Sequence, residues 1–123
     1  MSLINKEELK KRQPSPRKEK VDVPEWGEDA FIYVRELSAA TLDYFESFIV
    51  LDGMASPEER RARYENFRVR YVVLSACDEQ GKAIFTTEDE VWLGEMESSI
   101  ISRIFVAAKV VNRIDAKGLE KNS

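Results

Sequence analysis

The stretch Phe31-Ile32-Tyr33-Val34-Arg35-Glu36-Leu37-Ser38-Ala39-Ala40-Thr41-Leu42-Asp43-Tyr44-Phe45 changes its period in the middle. Its first seven residues are rich in aromatic and β-branched side chains, the chemistry of a strand. Ser38 is a good helix N-cap, and Leu42, Phe45 and Ile49 then recur at helical spacing. A strand feeding directly into an amphipathic helix sets the class as α+β. Upstream, Val21-Asp22-Val23 alternates apolar and polar and is stopped by Pro24. Glu25-Trp26-Gly27-Glu28-Asp29 separates the two apolar runs, with Gly27 suited to a positive-φ turn position. The two runs read as a β-hairpin. A hairpin alone is marginal in water, so it must lie on helices.

Downstream the pattern is helical. Asp52-Gly53 ends the first helix. Ser56-Pro57-Glu58-Glu59 opens a second, with an N-cap, Pro at the first helical position and Glu three residues after the cap. Tyr64, Phe67, Tyr71 and Leu74 share its apolar face, widened by Val69, Val72, Val73 and Ala76, and the helix is expected to run to about Cys77. Asp78 to Lys82 is a turn. Thr87-Glu88-Asp89-Glu90 reads as a capping box that opens a short helix ending at Gly94. A last long helix begins near Glu97, with Ile101, Ile104, Ala108 and Val111 on one face, and Asn112 to Asp115 lead out of it. The expected architecture is therefore mainly α: an N-terminal β-hairpin followed by a bundle of about four helices. Residues 1–18 read as a disordered basic tail carrying Pro14-Ser15-Pro16. Residues 19–116 form one domain, and 117–123 form a polar C-terminal tail.

Composition excludes much chemistry. The 123 residues contain no histidine and one cysteine. Ser-His-Asp systems, HExxH zinc sites, disulfides within the chain and Cys-rich zinc knuckles are all ruled out. The five glycines sit singly between elements, so no phosphate-cradling loop exists. No run of about 20 apolar residues is present for a membrane helix. Cys77 reads as a small core residue. Glu88-Asp89-Glu90 reads as helix-start acids, the alternative being a carboxylate metal or acid/base site. No cofactor and no catalytic or metal-binding residue is expected.

Two features point to binding. Residues 1–20 carry seven Lys/Arg against three Glu, a net of +4, while the whole chain is −4, so residues 21–123 carry −8. A basic arm with the Arg60–Arg70 helix is the pattern of a small nucleic-acid-binding regulator, but the acidic body repels phosphate and the arm lacks stacking aromatics. The second feature is apolar side chains in excess of an obvious core. Tyr44, Phe48 and Leu51 form an extra stripe on the first long helix, and Val69 and Val73 do so on the second. Trp26 and Trp92 lie outside the long helices, and Arg60 and Arg63 lie on the polar half of the second helix. These nine residues are the candidate partner-binding set, the surplus being suited to self-association or to a hydrophobic client.

Several of these segments together resemble a family. Val21-Asp22-Val23-Pro24-Glu25-Trp26-Gly27, then Tyr33-Val34-Arg35-Glu36-Leu37-Ser38-Ala39, resemble the opening of the tail assembly chaperones of long-tailed bacteriophages. Leu74-Ser75-Ala76-Cys77-Asp78-Glu79-Gln80-Gly81-Lys82-Ala83-Ile84-Phe85, the Thr87 cap, Asp89, Leu93-Gly94 and the late Asn112 resemble its middle and end. The resemblance covers about residues 19–120 and consists of structural punctuation. It implies a non-enzymatic protein of a phage or prophage, acting in the host bacterial cytoplasm and absent from the mature virion. Its implied partners are the aggregation-prone tape measure protein, tail tube subunits and further copies of itself, with no nucleic acid and no membrane. Many members are also made in a longer, frameshifted form. The resemblance carries no catalytic residue onto this chain.

Overall fold

The computed structural model describes residues 3–13, 15–51 (47–51 by backbone alone), 56–58 and 67–112. The fold is α+β and mainly helical, with a three-stranded antiparallel sheet in the order β1-β2-β3. Strand β1 spans Lys18–Asp22, β2 spans Phe31–Arg35 and β3 is the two-residue Ala76–Cys77. The described helices are α1 (Lys6–Lys11), α2 (Ala39–Leu51), α3 (Phe67–Ser75), α4 (Glu90–Gly94) and α5 (Ser98–Asn112).

The expected hairpin is present. β1 pairs with β2 from Lys18↔Arg35 to Asp22↔Phe31. Directly opposed residues share a face, so Val21/Ile32 and Glu19/Val34 lie on one side of the sheet and Asp22/Phe31, Lys20/Tyr33 and Lys18/Arg35 on the other. The first side is the core face, where Val21, Ile32, Val34 and Ala76 are buried. On the outer face the Lys20 ammonium sits 4.5 Å from the Phe31 ring centre and Lys18 sits 5.7 Å from that of Tyr33. The lysine stems thus cover aromatic surface while their charges stay in water. Between the strands Pro24–Trp26 form a 3-10 turn. Gly27 follows at φ +152°, a conformation that a side chain rarely tolerates.

α5 is the central packing element. Ile100, Ile101, Ile104, Ala108 and Val111 are buried, as the helical spacing requires, and they meet the sheet and α3. Ser38 opens α2 as expected: its Oγ accepts from the Thr41 amide at 3.2 Å, and its carbonyl accepts from the Leu42 amide. Pro57 and Glu58 are helical, as the Ser56-Pro57 start demands. The Asp52-Gly53 helix end, Tyr64 and the C-terminal residues 113–123 lie outside the described residues.

Five expectations are corrected. The tail is ordered into a helix at Lys6–Lys11, because Asn5 accepts from the Glu7 and Glu8 amides and acids precede bases along it. β1 starts at Lys18 and ends at Asp22, not Val23. The second long helix stops at Ser75, because Ala76–Cys77 leave it to pair with Val34 and Tyr33. The cap before α4 is Thr86, not Thr87: the Thr86 amide donates to the Asp89 carboxylate at 2.7 Å. Asn112 belongs to α5 and does not lead out of it.

The turn after β3 forms where expected. Asp78 accepts from the Gln80 and Lys82 amides, and Gly81 sits at φ +82°. Arg35 clamps it. Its guanidinium donates twice to the Leu74 carbonyl, at 3.1 and 3.2 Å, and once to that of Gly81 at 2.8 Å. One side chain of the hairpin therefore satisfies a carbonyl at the C-terminal end of α3 and holds the turn beyond it.

Candidate functional site

The candidate residues divide sharply by position. Val69 and Val73 are buried in the core, so they form no surface and the surplus assigned to α3 is corrected. The reason is that the second half of α3 is enclosed on nearly every side, with Tyr71, Val72 and Ser75 buried as well. Tyr44 is half exposed on α2. Arg60, Arg63 and the side chains of Phe48 and Leu51 lie outside the described residues. Two neighbouring arginines are engaged inside the molecule: Arg68 donates to Ser98 and Ser102 of α5, and Arg70 pairs with Glu90 of α4 at 3.2 Å. Those contacts staple α3 to the C-terminal helices and commit two of the five arginines between Arg60 and Arg70 that suggested phosphate binding.

Trp26 and Trp92, far apart in sequence, are joined through Phe85. The Phe85 ring lies edge-on to Trp26 at 6.5 Å and to Trp92 at 5.8 Å. Trp26 is largely packed away, with its indole N–H buried and unpaired among the described residues. Trp92 is half exposed and donates through Nε1 to Asp89 at 2.8 Å. The Thr86 amide and then the Trp92 indole hold the Asp89 carboxyl below its usual range. The acidic trio is thus structural at two of its positions: Asp89 closes the capping box with Thr86 and orients Trp92, and Glu90 binds Arg70. Sequence reading missed Phe85 as the link, since it lies in a short apolar run with no periodicity.

The larger aromatic assembly lies between α2, α3 and α5. Phe45 lies tilted against Tyr71 at 4.8 Å and edge-on at 5.4 Å to Phe67, while Phe105 lies edge-on to Tyr71 at 5.3 Å and to Phe67 at 6.0 Å. Phe45 is 2% exposed, whereas Phe67 and Phe105 are only partly covered. They line a cleft of about 190 Å³ with Leu42, Glu46, Lys109 and Asn112. Tyr44 stands beside it, its ring 5.7 Å from that of Phe45. Burial, and secondarily Glu46, pushes the Tyr71 hydroxyl above its usual pKa. Glu46 and Lys109 give the rim both signs of charge, and Lys109 lies 5.3 Å over the Phe105 ring. Phe105 and Lys109 were not among the candidates. Their i,i+4 spacing on α5 was visible, but the groove needs three helices to exist.

Asn112 closes the floor of this cleft. It is 8% exposed and accepts from the Leu37 amide at 2.6 Å, while its Nδ2 donates to the Arg35 and Ala108 carbonyls. It therefore ties the end of α5 to the β2–α2 junction. The turn at the other end of the hairpin is tied to α5 by Arg103, which makes a two-pronged pair with Glu25 at 2.6 and 2.7 Å. That hydrogen bonding holds the Glu25 carboxyl at about 2. Cys77 is buried, and burial raises its thiol pKa, the setting of a core cysteine.

A punctuated hairpin on a helical layer, with partly exposed aromatics along the helices, agrees with the family resemblance. The model of the phage tail assembly chaperone family matches residues 6–122. The chain belongs to the phage tail assembly chaperone family. That family is a chaperone class and not an enzyme class. Among solved structures the bacteriophage HK97 tail assembly chaperone is similar, with a TM-score of 0.58 and 23% identity over 78% of this chain and 85% of that one. At that identity the likeness is one of fold. Comparison with curated proteins yields no match. Among the described residues no helix of this tail assembly chaperone is long and apolar enough to cross a membrane.

Proposed function

We propose that this tail assembly chaperone binds the tape measure protein, keeps it soluble and helps bring tail tube subunits to it during morphogenesis. It acts in the cytoplasm of the host bacterium, associates with further copies of itself, and is left out of the finished virion. The observation that carries this reading is the aromatic cleft between α2, α3 and α5. At about 190 Å³ it is below the ~300 Å³ at which sites for drug-sized molecules begin. It suits one or two large apolar side chains of a protein segment. Phe67, Phe105 and Tyr44 supply rigid apolar area, and Glu46 and Lys109 supply a polar rim, the composition of an anchor pocket. A helical segment inserting side chains at i and i+4 is the occupant that such a groove accepts.

Co-expression tests the reading. The tape measure protein is expected in the soluble fraction, co-purifying with the wild-type chain, and to be depleted there with Tyr44→Ala together with Phe105→Gln. A tape measure protein that stays insoluble with the folded wild-type chain, with nothing co-purifying, contradicts it.

A further inference from the structure

The strand order β1-β2-β3 leaves one side of β1 without a neighbouring strand among the described residues. The Arg17 carbonyl accepts from the Glu36 amide, and the Val23 amide donates to the Ala30 carbonyl. In an antiparallel pair the bonded and non-bonded positions alternate. Glu19 and Val21, in phase with Arg17 and Val23, therefore turn their backbone groups toward β2. Lys18, Lys20 and Asp22 turn theirs outward. The Asp22 carbonyl is taken by Arg103 at 3.4 Å. Exposed Lys18 and Lys20 each keep an N–H and a carbonyl aimed away from the sheet.

Helix α5 borders this open edge. Arg103 ties it to Asp22 and Glu25 at one end of β1, and at the other end the Arg17 guanidinium donates to the Val111 carbonyl. The two elements thus run side by side in opposite directions. Arg103, Val106 and Val110 follow one another at spacings of three and four, so they share one flank of the helix. Val106 is 58% and Val110 57% exposed. Phe105 and Lys109, which line the aromatic cleft, lie on the other flank. An apolar shelf therefore runs beside the open backbone of β1, separate from that cleft.

We infer that the free edge of β1 captures an extended acidic segment of a partner protein by strand addition, its apolar side chains resting on Val106 and Val110. Strand addition takes its affinity from main-chain bonds and its specificity from alternate side chains. Lys18 and Lys20 stand on the outer face, over the Tyr33 and Phe31 rings, beside the outward N–H groups. Opposite charges across a strand pair attract and like charges repel. The segment therefore carries acids opposite the two lysines and, on its other face, apolar residues toward the shelf, with a hydroxyl side chain opposite Glu19. Lysines on an edge also discourage indiscriminate pairing, which an acidic strand overcomes and a basic one does not. The site goes beyond the cleft of the functional reading and does not depend on it.

Amide exchange followed by NMR on the full chain tests this, with the blocked peptide Thr-Val-Glu-Thr-Glu-Val as probe and the same peptide with lysine for glutamate as control. In the free chain the Lys18 and Lys20 amides are expected to exchange at least tenfold faster than those of Val21 and Val23, whatever the protein concentration. Saturating acidic peptide is expected to slow Lys18 and Lys20 at least tenfold, and the basic peptide to leave them unchanged. Lys20→Pro removes one outward N–H at an edge position that tolerates proline, and Val110→Lys spoils the shelf at an exposed site. Each is expected to weaken peptide binding at least tenfold while the Val21 and Val23 amides stay protected. Lys18 and Lys20 amides already slow in the free chain mean that the chain covers its own edge. Protection that rises with protein concentration means that a second copy does. Either result overturns the proposal, as do equal effects of the two peptides, no binding, or unchanged binding to both variants. The cleft is read separately through Tyr44→Ala, so client binding there stands or falls on its own result.

Discussion

Asn112→Ala removes a side chain that makes three hydrogen bonds at the junction of α5, β2 and α2. The Leu37 amide loses its acceptor and the Arg35 carbonyl loses a donor. The Ala108 carbonyl lies within the helical ladder, so its loss counts less. Each stranded, partly buried backbone group costs about 1–1.5 kcal/mol. The variant is therefore expected to lose about 2–3 kcal/mol, or roughly 10 °C in Tm for a domain of this size. Asn112→Asp separates the contributions. It keeps the acceptor for Leu37 but loses both donations and sets a carboxylate against two carbonyl oxygens at a helix C-terminus. Its folded pKa is raised above the ordinary value of about 3.9. Its stability relative to the wild type is then highest at low pH and is lost as pH rises through that raised value. Thermal melts followed by circular dichroism at pH 4 and pH 7 read both effects. An alanine variant melting within about 2 °C of wild type refutes the reasoning, since it means Asn112 holds nothing that water does not replace.

Three further predictions concern other ties. Arg35→Lys replaces a planar fork donating to the Leu74 and Gly81 carbonyls with a single ammonium. It is expected to cost about 1–2 kcal/mol, read as a lower denaturant midpoint with unchanged slope. Glu25, held at about 2 by Arg103, contributes stability that is complete above its ordinary value of 4.5 and fades as pH falls from there through 2. Glu25→Gln should therefore flatten the acid limb of the stability–pH curve, and an unchanged limb contradicts the assignment. Cys77 should resist a thiol reagent in native buffer and react fully in denaturant, whereas fast native labelling would place it at the surface.

Much of the fold was legible because local rules agreed with tertiary need. The period change at Ser38 placed β2 and α2, and the Ile101–Val111 spacing named the buried face of α5. The errors fall where a partner decides. Ala76–Cys77 continue a helical pattern by composition, yet pairing with Tyr33 and Val34 pulls them into a strand. Thr86 and Thr87 are equivalent caps on paper, and the Asp89 carboxylate chooses Thr86. Charge and proline hid the Asn5 cap of α1. The binding surface was only half readable. Trp26, Tyr44 and Trp92 were named from residue type, but Phe85 and Phe105, which knit them into surfaces, acquire that role only when elements distant in sequence come together. Val69 and Val73 misled for the converse reason: an apolar stripe looks like surplus until the neighbour that covers it is known.

The central claim is that this chaperone works by burying apolar surface of its client in the aromatic cleft. Isothermal titration of the purified chain with a soluble tape measure segment, repeated at several temperatures, tests it most directly. The account predicts binding with a negative heat-capacity change that shrinks in Tyr44→Ala. Binding with a heat-capacity change near zero, equal in wild type and Tyr44→Ala, contradicts it.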